Sequence, residues 1–126
     1  MRIVSAIFVI TVSALVSCRK PTSLGVSGNY IAKYSHGTDE LCFREDGTFA
    51  QRFTFKGGSI ATNSGIWIGP TTNDQVLVQR FVMFDDGFGR PHHNPVPGYV
   101  SLCYEVRGGR VSLGFNKGLE NVYEKQ

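Results

Sequence analysis

Ser35, His36 and Asp39 lie within a five-residue stretch and are of the types that carry nucleophilic hydrolysis: a hydroxyl, an imidazole and a carboxylate. That chemistry also needs a base aimed at the serine and donors for the oxyanion. The Gly-x-Ser-x-Gly elbow that would supply such a setting is missing from the chain, so the three residues read as a turn between strands. His92 and His93 offer imidazole nitrogens to a metal, with His36, Asp85 or Asp86 as further ligands. Neighbouring residues of an extended segment point apart, and no His-x-His or Cys-x-x-Cys spacing supports them, so the pair reads as part of a proline-rich surface loop. Asp85-Asp86-Gly87 lacks the alternating oxygen ligands and distal Glu of a calcium loop. The expectation is therefore a protein that is not an enzyme and that uses no metal or cofactor.

The elements that would position these residues are short strands. Thr48 to Phe55 places Phe49, Gln51, Phe53 and Phe55 on one face and Thr48, Ala50, Arg52 and Thr54 on the other, the alternation of a half-buried antiparallel strand. Glu40 to Arg44 precedes it across Glu45-Asp46-Gly47, where Asp-Gly supplies a tight hairpin turn. Asn29 to Tyr34 alternates before that pair, and Gly65 to Gly69 follows a polar stretch from Ser59 to Ser64, with Trp67 opposite Ile66 and Ile68. Gln75 to Phe84 is apolar on both faces, with Val76, Val78, Val82 and Phe84 set against Leu77, Phe81 and Met83. Asp85 to Gly98 is the one long loop, and such loops in small domains are commonly functional. Tyr99 to Arg107, Arg110 to Asn116 and Asn121 to Lys125 complete seven or eight strands. No segment shows a helical apolar stripe, so the fold class is all-β: a single small antiparallel barrel or sandwich over residues 28–126.

Upstream of this domain, Ile3 to Val16 is an apolar run of fourteen residues behind Arg2. It is shorter than the roughly 18 residues of a spanning helix and matches a secretory signal. Leu15-Val16-Ser17-Cys18 closes it and resembles the cleavage box of bacterial lipoproteins. The resemblance implies a signal peptide over 1–17, diacylglycerol on the Cys18 thiol, cleavage before Cys18 and acylation, such as palmitate, of the new amino group. More than one chain on a residue gives lasting attachment. The implied address is a bacterial membrane, the outer one, facing the periplasm or exposed at the surface. Residues 18–27 then read as a flexible polar tether.

The chain that remains has 109 residues with a formal charge of +2, dispersed along it, which gives no argument for nucleic acid. With Cys18 acylated, Cys42 and Cys103 are left as an even pair in an oxidising compartment, and a disulfide between them is expected.

A Gly-Asn-Tyr strand at Gly28, a Leu-Cys-Phe-x-x-Asp-Gly-Thr-Phe hairpin from Leu41, a Gly-x-Trp strand at Gly65 and a closing Val-Tyr at Val122 together resemble the lipocalin-like small barrels of bacterial lipoproteins. In true lipocalins the Gly-x-Trp lies on the first strand, whereas here it follows the first hairpin. A barrel of this length has a narrow interior that Phe49, Phe53, Phe55, Phe81 and Phe115 could fill. Two functions are carried forward. One is a membrane-anchored, non-enzymatic module that binds a periplasmic or cell-surface protein through Phe88, Arg90, His92, His93 and Tyr99, as an envelope factor, enzyme inhibitor or toxin-immunity protein would. The other is a carrier of a small apolar ligand beside Trp67.

Overall fold

The computed structural model describes residues 25–115 and 122–126. The signal segment, Cys18, the first part of the tether and Asn121 lie outside the described residues.

Eight antiparallel strands follow one another in chain order and close into a barrel: β1 (Gly28–Tyr34), β2 (Gly37–Phe43), β3 (Thr48–Phe55), β4 (Ile60–Ile68), β5 (Gln75–Val82), β6 (Pro97–Arg107), β7 (Arg110–Gly114) and β8 (Val122–Lys125). Each strand pairs with its sequence neighbours, and β8 returns to β1, so no long edge is left for another sheet to extend. β3 has the bounds that its alternation predicts. β2 begins three residues earlier than expected, so Asp39 sits inside a strand and only Ser35 and His36 form the β1–β2 turn. The polar stretch from Ile60 to Ser64 is also strand, pairing Ile60 to Ile66 with Thr48 to Thr54.

The reason β4 escapes a hydropathy reading is that its faces are inverted. Ile60, Ile66 and Ile68 point outward and are 57 %, 45 % and 61 % exposed, whereas the inward positions carry small or polar Ala61, Asn63 and Gly65, followed by Trp67. The neighbouring aromatic rings need that space. A Cβ at Gly65 would overlap the Phe49 ring and the Gln79 carbonyl oxygen.

β5 carries the fold's main irregularity. Its register to β6 shifts between Val78 and Phe81, and Arg80 adopts a φ of 65°, the left-handed conformation of a β-bulge. The extra residue changes the phase of the strand, so Phe81 turns inward after Val76 and Val78 and is 1 % exposed. The simple alternation that set Phe81 on the face opposite Val78 is thereby corrected.

Rings fill the barrel. Tyr30, Phe43, Phe49, Phe53, Phe81 and Tyr123 are fully buried with Leu41, Leu102, Val76 and Val78. Phe43 stacks on Phe49 at 5.9 Å, Phe49 on Phe81 at 6.4 Å, and Phe53 on Phe84 at 4.6 Å. Each such side chain contributes about 2–3 kcal/mol of transfer free energy, which suits a domain whose core is a single narrow column. Phe55 and Phe115 are only half-buried at its margin.

The two ends of the barrel differ. The chain enters β1 at the end that holds the β2–β3, β4–β5 and β6–β7 turns. There Tyr30 donates to the Val26 carbonyl at 2.6 Å, and Trp67 packs edge-on to Phe43 while its indole N–H donates to the Arg44 carbonyl at 2.9 Å. The opposite end, the mouth, carries the β1–β2 and β3–β4 turns and the β5–β6 loop.

The expected Cys42–Cys103 disulfide is not formed: Cys103 is a buried free thiol. Strands β2 and β6 are four steps apart whichever way one goes round the barrel, so the two cysteines stand on opposite walls. Eight tilted strands at ~4.8 Å spacing enclose a cylinder roughly 16 Å across, against the ~7 Å Cα separation that a disulfide tolerates. Both side chains also alternate with inward residues, Leu41 and Phe43 for one and Leu102 for the other, and so face away from the axis. Cys103 Sγ instead accepts from Gln75 Nε2 at 3.5 Å.

Candidate functional site

The β5–β6 loop contains a second, smaller hairpin. The His92 amide donates to the Phe84 carbonyl and the Asp86 amide to the Arg90 carbonyl, both at 2.8 Å, and Asp85 bridges Pro91. Two adjacent carboxylates brace its tip from inside. Asp85 accepts the amides of Gly87 at 2.8 Å and Gly89 at 3.3 Å. Asp86 accepts the amides of Phe88 at 2.8 Å and Arg90 at 3.3 Å, and the Arg90 Nε at 3.1 Å. The Phe88 amide, followed by the other contacts, holds the Asp86 carboxyl below the usual carboxylate range. Gly87 and Gly89 both have positive φ, which lets the backbone fold around these acceptors.

This hairpin is fastened to the barrel. His36 Nε2 lies 2.8 Å from Asp85 Oδ1, with both side chains largely buried, and Ser35 Oγ donates to the Gly89 carbonyl at 3.3 Å. His36 is sandwiched between Tyr34 and Phe53, with centroids at 5.5 and 5.4 Å. Its Nδ1 is buried with no hydrogen-bond partner among the described residues. Ser35, His36 and Asp85 therefore act as a fastening. Asp39, which sequence proximity placed beside them, belongs to a separate cluster deeper in the barrel.

At the apex Phe88 is 80 % exposed, and the Arg90 guanidinium lies over its ring at 5.8 Å. His92 and His93 stack on each other at 5.3 Å with rings 2° from parallel, where extended geometry would set them apart. His92 Nδ1 accepts the Asn94 amide at 3.0 Å. Tyr99 is 65 % exposed and lines, with Met83, His92 and Val96, a shallow hollow of about 120 Å³ beside the hairpin. The five residues expected to bind a partner thus form two groups, Phe88 with Arg90 at the tip and His92, His93 and Tyr99 at its base. Among the described residues no group of three His, Cys, Asp or Glu side chains is placed to hold a metal.

The deeper cluster was not singled out by sequence reasoning. Asp39 is 1 % exposed and accepts from Gln51 Nε2 at 3.1 and 3.2 Å and from the Tyr123 hydroxyl at 2.7 Å. Burial, opposed by those two hydrogen bonds, pushes its carboxyl up to about 7. Burial, with the neighbouring Asp39 and Asp85 carboxylates, likewise pushes the Tyr34 hydroxyl up to about 12, although its bond to Tyr123 opposes the shift. The one available signal was parity: Asp39 shares a face with Leu41 and Phe43, and Gln51 with Phe49 and Phe53.

Trp67 sits at the end of the barrel opposite the mouth, edge-on to Phe43 and with its indole N–H on the Arg44 carbonyl. A depression of about 510 Å³ lies on the outer wall of β1 to β4, between Ile31, Cys42, Ala50 and the Arg52–Glu40 ion pair.

No known protein family, curated protein or solved structure matches this chain.

Proposed function

We propose that this chain is a lipid-anchored bacterial envelope protein of the lipocalin-like kind, whose barrel mouth binds another protein without catalysis. The observation that carries the reading is Phe88: a large aromatic, 80 % exposed, on a tip held rigid by two carboxylates and fastened to the barrel by His36 and Asp85. Exposing a ring on an ordered tip does nothing for folding. It does suit an anchor residue, since a preorganised aromatic loses little entropy when it enters a partner's pocket. Arg90 adds a donor fork beside it.

The direction of the barrel supports the same reading. The chain reaches β1 from the end opposite the mouth, so an anchor at Cys18 would turn Phe88 away from its own bilayer and toward the periplasm or medium. The carrier alternative is less well supported, because stacked rings occupy the barrel axis where a ligand would sit.

The test is a photo-crosslinking residue at position 88 in the full-length chain in its native envelope, with native mass spectrometry of the Cys18→Ser form. A defined crosslinked protein that Phe88→Ala no longer retains supports the reading. A retained small molecule without a protein partner would transfer the case to a carrier.

A further inference from the structure

Asp39 is a buried carboxylate to which no Lys or Arg among the described residues is hydrogen-bonded. The groups that face it are Gln51 of β3, with Asn63 of β4 behind it, and Tyr123 of β8, whose hydroxyl also bonds Tyr34 of β1. The His36–Asp85 pair lies beyond Tyr34, and Glu40, next to Asp39 on β2, adds negative charge from the outer face. Only the hydrogen bonds of Gln51 and Tyr123 favour the ionised form, and burial outweighs them.

Among the described residues, the wall beside this carboxyl is the one with the fewest register pairs. Asp39 pairs with Ala32 of β1. The β1–β8 ladder has two register pairs, Tyr30 with Lys125 and Ile31 with Glu124, and it ends one residue before Ala32. Every other seam has three or more pairs among the described residues. The Tyr123 side chain reaches inward from β8, and its hydroxyl bonds Asp39.

We propose that Asp39 is a proton switch on the β1–β8 seam: the protonated acid keeps the seam closed, and ionisation opens it. An ionised carboxylate at this depth gains most by reaching water, and parting two register pairs is the least costly route for water to enter. β8 stays attached through its three pairs to β7. The closed form holds its proton up to about pH 7, while a hydrated Asp titrates near its ordinary value of 3.8. Opening therefore releases one proton over that interval. The open population rises about tenfold per pH unit between roughly 4 and 7 and levels off above 7.

Native-state hydrogen exchange on the full chain in detergent micelles, corrected for intrinsic rates, tests this. The Gln126 amide, which donates to the Asn29 carbonyl across the seam, is the probe, with β2–β3 amides as reference. The expected result is a Gln126 protection factor that falls about a hundredfold from pH 5 to pH 7, flattens above, and is insensitive to low urea, as a local opening requires. Asp39→Asn should abolish the pH dependence. Tyr123→Phe removes a hydrogen bond that favours the ionised form, so it should move the plateau to higher pH. It serves as the second variant if Asp39→Asn does not fold. Gln126 protection that follows the urea dependence of the β2–β3 amides, an unchanged pH slope in Asp39→Asn, or an unmoved plateau in Tyr123→Phe overturns the proposal.

Discussion

The side-chain amide of Gln51 hydrogen-bonds both backbone groups of Val82: its Nε2 donates to the Val82 carbonyl at 2.8 Å, and its Oε1 accepts the Val82 amide at 3.1 Å. A side chain from β3 thereby supplies a strand's hydrogen bonds from inside the barrel, where the bulge at Arg80 has carried β5 away from β4. Asn63 ties Gln51 to the Arg80 carbonyl, and Asp39 accepts the remaining Gln51 hydrogen. The same two bonds set the root of the β5–β6 loop, since Phe84 and Asp85 follow Val82 directly after Met83.

Replacing Gln51 by Leu should be costly despite the similar size. It leaves the Val82 amide and carbonyl unpaired in the core and removes a donor from Asp39. A loss on the order of 3 kcal/mol or more is expected, read as a lower midpoint in urea unfolding.

Stability should fall as pH rises across the acid range. Because the folded-state value for Asp39 lies above its ordinary one, the folded protein binds more protons than the unfolded chain between about pH 4 and pH 7. The contribution is fully present at the acid end of that window, is lost by about pH 7 and is flat above, with a total on the order of 4 kcal/mol. Urea unfolding at pH 4 and pH 8 measures it, and Asp39→Asn should bring the two midpoints together. Asp46 and Asp86, whose values are lowered by hydrogen bonds from Thr48 and Phe88 respectively, act in the opposite sense, but below that window.

Gly65→Ala should destabilise by about 1–3 kcal/mol, because the added methyl meets the Phe49 ring and the Gln79 carbonyl oxygen. The same change at Gly57, where nothing lies within 4 Å, is the control and should leave the thermal midpoint nearly unmoved.

Phe88→Ala should change stability by less than about 0.5 kcal/mol, since the ring is mostly in water, while reducing capture of the crosslinked partner at least tenfold. An equal loss with Tyr99→Ala would extend the contact surface from the tip to the hollow at its base.

How much could be read in advance follows from the range of the forces involved. Alternation in Thr48 to Phe55, the Asp46-Gly47 turn and the lack of a helical stripe are local properties, so the all-β class, the first hairpin and the long loop were legible from the residues themselves. Closure into a barrel was foreseen only as one of two ways to remove edges. The two-pair seam between β1 and β8, which distinguishes a barrel from a sandwich, joins strands about 90 residues apart. β4 was misread because its inward residues are small or polar for the sake of Phe49 and Phe53 on another strand, which hydropathy along one strand cannot register. The bridge between Cys42 and Cys103 followed from counting cysteines. Its failure follows from strand order, which puts them on opposite walls. Exposure of Phe88 was an expectation from a loop's composition, whereas the fastening by His36 and Asp85 needed residues 49 positions apart to meet. Side-chain type and local periodicity thus determined what the strands were, and only three-dimensional closure decided which polar groups would be sealed inside them, because burial depends on the neighbours that the whole fold brings together.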